Sequence, residues 1–187
     1  GGSMNTVVTS KEKILATSRE LIQKEGWSAV NIRSVAAACG VSVGSIYNYF
    51  DSKNDLITAA VESVWSEIFH ASGQENFEHF SDCVEWIFDR IKKGAETYPG
   101  FFTLHSMAFF GKDRDNGRIL MEKAWSHMQG SLLHILLKDR DIRPDAFEGA
   151  LSPEGFVEIL FSLVLSSLIR QNYESGAILE MLRKLLY

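Results

Sequence analysis

Apolar residues recur at intervals of three and four along most of the chain, which is typical of amphipathic helices and differs from the alternation of β-strands. The breaks between these stretches are rich in Gly, Pro and charged residues, as turns and loops usually are. The pattern predicts helices over residues 10–26, 32–39, 43–49, 55–70, 77–97, 99–110, 116–138, 153–173 and 176–186. The predicted fold class is therefore all-α.

Polar residues at the predicted helix starts are suited to cap them. Thr9 and Glu12, three residues apart, form the pattern of a capping box, and Ser52 with Asp55 forms a second one. Asn31 is expected to cap the helix that begins at residue 32. These local signals divide the first part of the chain into three short helices followed by a longer fourth.

Residues 35–50 predict two short helices joined by a sharp turn. Gly40 can adopt the left-handed conformation that ends a helix, and Ser42 can cap the next one. Ile46 and Phe50 are four residues apart and can anchor the second helix to a core. A short Gly-containing turn between two helices is the helix-turn-helix pattern. The side chains of the second helix that can hydrogen-bond to phosphates or base edges are Ser45, Tyr47, Asn48 and Tyr49.

The same turn also matches G-x-S-x-G, the nucleophile elbow of α/β-hydrolases, over residues 40–44. An elbow requires a preceding strand, whereas an alanine-rich helical segment precedes this turn, so the capping role of Ser42 is the preferred interpretation. The chain contains no paired carboxylates, catalytic triad or phosphate loop in a suitable context. The protein is therefore not expected to be an enzyme or to use a cofactor.

The charge distribution indicates which part of the chain could bind nucleic acid. The 187 residues carry a formal net charge of −5. Residues 1–60 contain six Lys or Arg and five Asp or Glu, a net charge of +1, whereas residues 61–187 contain thirteen and nineteen, a net charge of −6. Any basic surface for nucleic acid must therefore be local and N-terminal.

Three further features predict a cytoplasmic protein. Cys39 and Cys83 lie in apolar helical contexts and are expected to be reduced core residues, although a redox-sensing thiol remains an alternative. No signal peptide opens the chain, and the Gly-Gly-Ser before Met4 is typical of a cloning remnant, so residues 1–8 are expected to be disordered. The longest apolar run, 156–169, contains a glutamate and is shorter than the about 20 residues that span a bilayer.

The N-terminal residues resemble the DNA-binding domain of TetR-family transcriptional regulators over about 10–57. The residues that carry the resemblance are Trp27, Asn31, Arg33, Val35-Ala36, Cys39-Gly40-Val41-Ser42, Gly44-Ser45-Ile46-Tyr47, Tyr49-Phe50, Ser52-Lys53 and Leu56. Cys39 replaces the usual alanine, and Val43 replaces a polar or basic residue, which removes one expected DNA contact. The resemblance implies a helix-turn-helix domain over 9–54 and a helical ligand-binding and dimerisation domain over 55–187.

The resemblance implies that DNA contacts fall on Asn31, Arg33, Ser45, Tyr47, Asn48, Tyr49 and Lys53. Arg33 could contact guanine or a phosphate, and Asn48 could read adenine. The hydroxyl groups are better suited to phosphate or sugar, and Lys53 at the start of the fourth helix to a phosphate. The alternative is that Tyr47 belongs partly to the core and that Asn48 is only solvated.

Dimerisation is expected, since one domain of this size reads too few base pairs, and the resemblance implies that the last two helices form the interface. An apolar stripe supports this expectation: Phe156, Ile159, Leu160, Leu163, Val164, Ser167 and Leu168, followed by Ile178, Leu179, Leu182 and Leu185. An ordinary intramolecular core would give the same stripe, so the two interpretations remain open.

The helices between these regions are rich in aromatic residues, and the resemblance implies that they surround a ligand cavity. The candidate ligand-binding residues are Trp65, Phe69, Trp86, Phe102, His105, Phe109, Trp125 and Met128. A cavity lined in this way suits an apolar or aromatic small molecule, with Tyr98, Glu85 or His127 as further polar anchors. The five histidines have no metal-binding spacing, so no metal site is predicted.

The resulting hypothesis is a ligand-responsive transcriptional regulator, most often a repressor in the resembled family, that binds a palindromic operator in double-stranded DNA as a homodimer. A small-molecule effector would tilt the fourth helix and release the DNA. The alternative is a ligand-binding or protein-interaction bundle whose helix-turn-helix reads no specific sequence, which the near-neutral N-terminal charge and Val43 would favour. The sequence does not identify the operator, the effector or the regulated genes.

Overall fold

A computed structural model describes residues 9–69, 76–102 and 114–187, with the backbone alone over 114–124. These residues form eight α-helices and one 3₁₀-helix and contain no strand, so the predicted all-α class is confirmed. The helices are α1 (Lys11–Glu25), the 3₁₀-helix (Trp27–Ala29), α2 (Ile32–Cys39), α3 (Val43–Tyr47), α4 (Lys53–Ile68), α5 (Phe80–Thr97), α6 (Arg114–Lys138), α7 (Pro153–Arg170) and α8 (Gly176–Leu186). None of these described helices is long and apolar enough to cross a membrane.

Helices α2 and α8 have the predicted boundaries, whereas several others differ by a few residues. Helix α3 ends two residues early because the amide of Tyr49 donates to the carbonyl of Ile46, three residues back, which closes a tighter turn. Helix α7 ends at Arg170 instead of residue 173 because Gln171 adopts a left-handed conformation with φ of 52°. The helix predicted over 99–110 lies mostly outside the described residues, which include its helical residues 101 and 102.

The predicted caps are correct except at α1. Ser10, and not Thr9, caps α1, since its hydroxyl accepts a hydrogen bond from the Lys13 amide at 3.2 Å. The prediction of Thr9 was wrong by one residue because Thr9 and Ser10 are adjacent and both carry a hydroxyl that can cap a helix. Asn31 caps α2 in a reciprocal arrangement with Ser34, in which its Oδ1 accepts from the Ser34 amide at 2.8 Å. Ser52 caps α4 as predicted.

The described residues divide into two compact units, of which the first comprises 9–69 and 95–102. Helix α1 packs against α2, α4 and the 3₁₀-helix, and α2 packs against α3. The core of this unit contains side chains with at most 2% exposure, drawn from each of the four helices: Ile14, Ile22, Val35, Ile46, Leu56 and Val64. Cys39 is also buried there, as predicted. This core fixes the helix-turn-helix on α1 and α4.

The second unit comprises the described residues 76–94 and 114–187, in which α6 packs against α7. Its most buried side chains, at most 2% exposed, include Phe80, Val84, Phe88, Ile91, Leu136, Leu160, Leu182 and Leu186. Cys83 is buried, as predicted for a core residue. Burial of both thiols gives no support to the redox-sensing alternative, which needs an exposed sulfur.

A buried carboxylate organises the second unit. The Asp139 side chain is 1% exposed, and its Oδ2 accepts hydrogen bonds from the Phe80 amide at 2.8 Å and the Tyr187 hydroxyl at 2.5 Å. Burial alone would raise the pKa of Asp139, but these hydrogen bonds, a third from the Asp141 amide and the nearby imidazole of His79 lower it below its ordinary value. Asp139 is therefore ionised at neutral pH, and it caps the start of α5.

Candidate nucleic-acid interface and ligand-contacting residues

The turn between α2 and α3 has the geometry that a helix-turn-helix requires. Gly40 lies in the left-handed region with φ of 69°, and the Val41 amide donates to the carbonyl of Ala36 at 3.0 Å, which closes the end of α2. The Ser42 hydroxyl then accepts from the Ser45 amide at 3.2 Å and starts α3. Ser42 thus lies between two helices, without the preceding strand that a nucleophile elbow requires.

Helix α3 is anchored on one side and open on the other. Ile46 is fully buried and Phe50 is 4% exposed, as predicted for the anchors. Tyr47 is 48% exposed, and Asn48 next to it is also exposed. The alternative in which Tyr47 belongs to the core is therefore disfavoured. Val43 is 40% exposed, so the first turn of α3 presents an apolar side chain where a polar DNA contact is common in the resembled family.

Four of the predicted DNA contacts belong to exposed residues that the observed caps do not use. These residues are Arg33 in the first turn of α2, Tyr47 and Asn48 at the end of α3, and Lys53 at the first position of α4. Each retains a polar group that can reach a phosphate or a base edge. All four lie in the first unit, at the start of α2, the end of α3 and the start of α4.

The other three predicted contacts have structural partners. Asn31 uses its amide oxygen to cap α2, and the Ser45 hydroxyl lies 2.9 Å from the Ser42 hydroxyl. The Tyr49 hydroxyl donates to the carbonyl of Thr9 at 2.6 Å, which fastens the end of the helix-turn-helix to the segment before α1. These three groups hold the helix-turn-helix in place by contacts within the first unit. The sequence did not predict the Tyr49 contact, because Thr9 and Tyr49 are forty residues apart.

Lys11 is a candidate that the sequence analysis missed. Its ammonium group lies 5.5 Å from the centre of the Phe50 ring, which follows α3 by three residues. This contact places a positive charge from α1 beside the end of the helix-turn-helix. No sequence signal identifies it, because α1 and Phe50 meet only after the unit has folded.

An aromatic cluster lies at the far end of α4 from Lys53, within the first unit. Trp65 stacks on Phe69 with ring centres 5.8 Å apart, and it contacts Phe102 at 5.4 Å and Phe101 at 5.8 Å. Phe101 also contacts Trp27, at 6.3 Å. Three predicted ligand-binding residues, Trp65, Phe69 and Phe102, are thus brought together. Phe101 and Phe102 are almost fully buried and serve as walls of the cluster.

Polar groups border this cluster on α1, α4 and the segment after α5. Tyr98 is 4% exposed, and its ring contacts Phe101 at 6.2 Å. Burial raises the pKa of the Tyr98 phenol, the negative charge of Glu67 raises it further, and Arg19 opposes them. The Arg19 guanidinium donates to the Ser63 hydroxyl and so joins α1 to α4.

Three other predicted ligand-binding residues lie in the second unit. In the second unit, Trp86 contacts Phe77 at 5.8 Å and Trp125 contacts Phe161 at 6.0 Å, while Met128 is half-buried. Trp86 also faces an open groove of about 520 Å³ on α5 with several carboxylates around it. His105 and Phe109 lie outside the described residues.

Part of the predicted dimer stripe belongs to the core of its own chain. Four residues of α7 and two of α8 are at most 8% exposed, namely Phe156, Leu160, Val164, Leu168, Leu179 and Leu182. For these six residues the alternative of an intramolecular core applies, because a wide apolar stripe on a helix does not separate its two faces. The exposed apolar side chains are Ile159 at 56%, Ile169 at 69%, Met181 at 39% and Leu185 at 38%.

Residues 14–60 match the sequence model of the family described as "Bacterial regulatory proteins, tetR family". The chain is 42% identical over 52 residues to the uncharacterized HTH-type transcriptional regulator YerO of Bacillus subtilis (strain 168), covering 28% of this chain and 18% of YerO. It is 35% identical over 111 residues to the HTH-type transcriptional repressor KstR of Rhodococcus jostii (strain RHA1), covering 59% of this chain and 52% of KstR. These matches span about half or less of each relative's length.

The fold is also similar to a solved structure over nearly its whole length. The fatty acid degradation regulator FadR from Bacillus halodurans has a TM-score of 0.60 and 14% identity, covering 99% of this chain and 96% of that one. The helix-turn-helix geometry and the family match together define the first unit as a DNA-binding domain of the helix-turn-helix class. Residues 14–60 are therefore similar to the bacterial regulatory proteins of the tetR family.

Proposed function

We propose that the protein is a ligand-responsive transcriptional regulator that binds a palindromic operator as a homodimer and acts as a repressor. The observation that carries this proposal is α3, a helix held by two buried anchors while Tyr47 and Asn48 remain exposed. A helix with one buried face and one exposed face can place its exposed side chains in a major groove while its buried side chains stay packed in the core. The similarity to a transcriptional repressor supports repression as the sign of regulation.

Sequence discrimination is assigned to two exposed side chains. Asn48 on the last turn of α3 can make two hydrogen bonds to adenine, and Arg33 can make two to guanine, each worth about 1–3 kcal/mol of discrimination. Lys53, at the first position of a helix of 16 residues, combines its own charge with the positive end of the helix dipole and binds phosphate. Lys11 and the hydroxyl groups of Ser45 and Tyr47 add contacts to the DNA backbone.

Asn31 and Tyr49 have a different role in this proposal. Both are in contact with backbone groups of the same unit, at 2.8 Å and 2.6 Å respectively. They therefore hold the DNA-facing residues in place, and any direct phosphate contact that they make is secondary.

Dimerisation is assigned to the exposed apolar residues of α7 and α8. Ile159 and Ile169 lie on α7, and Met181 and Leu185 lie on α8. The same two helices from a second copy would cover these side chains in a four-helix arrangement about a two-fold axis. The two recognition helices must then lie about 34–36 Å apart to read successive major grooves.

Helix α4 is the element proposed to couple an effector to DNA binding. It begins at Lys53 and carries Trp65 twelve residues later, which is about 18 Å along a helix. An apolar or aromatic effector that contacts the cluster around Trp65 and changes the tilt of α4 would move Lys53 and the helix-turn-helix. The effector must prefer the form that does not bind DNA, since equal affinity for both forms would shift nothing.

Selection of bound duplexes from a fragment library of the source genome, at two salt concentrations, tests operator binding. We expect enrichment of a palindrome and a steep decrease of affinity with salt. Arg33→Ala and Asn48→Ala should each reduce discrimination at one base position by about 1–3 kcal/mol. Lys24→Ala, which removes one positive charge from the exposed end of α1, is the matched control for Arg33→Ala.

A second candidate function is a protein-interaction or ligand-binding bundle that does not read DNA, and the exposed apolar side chain of Val43 favours it. Binding without any preferred sequence, equally weakened by Arg33→Ala and Lys24→Ala, would support this function and contradict operator recognition. An effector that binds the protein but leaves its operator affinity unchanged would contradict the coupling through α4.

A further inference from the structure

Three potential metal-binding side chains converge in the second unit. His79 precedes α5, and Asp139 and Asp141 follow α6. The His79 Nδ1 atom lies 3.7 Å from Asp139 Oδ1 and 3.3 Å from Asp141 Oδ2. One ligand atom from each of the three residues lies within 4.8 Å of the other two.

The electrostatics of this group favour a cation at its centre. Two carboxylates lie beside the imidazole, and among the described residues no Lys or Arg forms an ion pair with either of the two aspartates. The His79 Nδ1 atom is itself buried and has no hydrogen-bond partner, although the outer part of its ring is exposed. A cation bound by all three groups satisfies the nitrogen and both oxygens together.

The spacing fits a small divalent transition-metal ion. Zinc binds histidine nitrogen and carboxylate oxygen at about 2.0–2.2 Å, so two ligands at a tetrahedral angle are about 3.4 Å apart. The two distances from Nδ1, 3.3 and 3.7 Å, bracket that value. A histidine ligand disfavours Mg²⁺ and Ca²⁺, which prefer oxygen.

The surroundings of Asp139 provide the second layer of contacts that metal ligands usually have. Its Oδ2 is held by the Phe80 amide and the Tyr187 hydroxyl, and its Oδ1 accepts from the Asp141 amide at 3.0 Å. These bonds fix the carboxylate while Oδ1 keeps a second lone pair for an ion. Tyr187 also contacts the His79 ring, with centres 5.8 Å apart.

We propose that His79, Asp139 and Asp141 form a binding site for one divalent transition-metal ion of the zinc type, with solvent as the remaining ligand. The ion joins the segment before α5 to the segment after α6, and through the Asp139–Tyr187 hydrogen bond it also braces the end of α8. The site is independent of the proposed DNA binding. The sequence analysis missed it because His79 and Asp139 are sixty residues apart and show no metal-binding spacing.

Isothermal titration of the untagged, chelator-treated full chain with Zn²⁺ at pH 7.5 tests the proposal. We expect one ion per chain and a higher melting temperature in the presence of Zn²⁺, because the ion binds the folded state. Asp141→Asn removes a ligand and keeps the backbone amide that holds Asp139, so it should bind Zn²⁺ at least tenfold more weakly without losing its fold. His79→Gln should have the same effect.

Asp145→Asn is the matched control, since it removes an exposed carboxylate from the same connecting segment outside the cluster. It should bind Zn²⁺ as the wild type does. The proposal is overturned if the wild type shows no one-to-one binding, or if Asp141→Asn and His79→Gln both bind Zn²⁺ with unchanged affinity, which would place the ion on other groups. Equal weakening by Asp145→Asn would also overturn it, because general negative charge would then explain the binding.

Discussion

The helix starts of the first unit and the Asp139 contacts of the second unit depend on hydrogen bonds of very different range. In the first unit, Ser10, Asn31, Ser42 and Ser52 each cap a helix by accepting a hydrogen bond from an amide three residues later. In the second, Asp139 receives hydrogen bonds from Phe80, 59 residues earlier, and Tyr187, 48 residues later. In the first unit, a separate local cap fixes the start of each helix. In the second unit, the single Asp139 carboxylate joins three segments that are distant in the sequence.

Mutations of these two kinds of contact should reduce the free energy of unfolding by different amounts. Loss of one local cap leaves the other helix starts of the first unit intact, so each change should cost little. Loss of the Asp139 carboxylate leaves a buried amide and a hydroxyl without a partner at the same time, and that cost is larger because unpaired buried groups are expensive.

The strongest test is Asp139→Ala. Loss of three hydrogen bonds to an ionised and buried acceptor should lower the free energy of unfolding by about 3 kcal/mol. Urea denaturation followed by circular dichroism in the absence of divalent ions measures this change. Asp145→Ala, which removes an exposed carboxylate, should change stability by no more than about 0.5 kcal/mol. Similar losses in both variants would show that the buried hydrogen bonds of Asp139 have no special role in the stability of the second unit.

A smaller effect is expected at the turn of the helix-turn-helix. Gly40→Ala places a β-carbon on a residue with φ of 69°, where there is space but the backbone conformation is unfavourable. We expect a loss of about 1 kcal/mol. Gly130→Ala on α6 has the same open space without the positive φ, and it should instead stabilise the helix by about 0.5–1 kcal/mol. Equal effects of the two substitutions in urea denaturation would contradict the assigned role of Gly40.

The hydrogen bond from Tyr49 to the segment before α1 should contribute a comparable or smaller amount. Tyr49→Phe keeps the ring and removes the hydroxyl that donates to Thr9 at 2.6 Å, so we expect a loss of about 0.5–1.5 kcal/mol in urea denaturation. Tyr47→Phe is the control, because the hydroxyl of this more exposed tyrosine lies on the proposed DNA-facing side. It should leave stability unchanged and weaken operator binding, and the opposite result would exchange the roles of the two tyrosines.

Features that depend on residues close together in the sequence could be predicted, whereas contacts between distant residues could not. The helices, the turn at Gly40, three of the four caps and the anchors Ile46 and Phe50 follow from residues within a few positions of one another. The contact of Lys11 with Phe50 and the cluster of His79 with Asp139 and Asp141 join residues that are far apart in the chain. No local pattern encodes such contacts, because they depend on how the helices pack.

Where a helix is apolar on more than one side, hydrophobic periodicity also did not predict which side chains are buried within the chain. Leu160 and Ile159 of α7 are neighbours in one stripe of the sequence, yet Leu160 is 2% exposed and Ile159 is 56% exposed. The hydrophobic pattern identifies a helix that buries much of its surface. It does not divide that surface between the chain's own core and a partner, since both are equally apolar.

The smallest predicted effect is a pH dependence in the first unit that involves Tyr98. The phenol has an ordinary pKa of about 10 in the unfolded chain, and burial together with Glu67 raises it in the folded state. As the pH rises, Tyr98 ionises first in the unfolded chain, which stabilises that state. The contribution of Tyr98 to the free energy of unfolding is therefore fully present below pH 10 and is lost as the pH rises through the raised pKa of the folded state. Tyr98→Phe cannot ionise. Its urea midpoint should fall less between pH 8 and 10.5 than that of the wild type, and equal falls would show that Tyr98 ionises as easily in the folded state as in the unfolded chain.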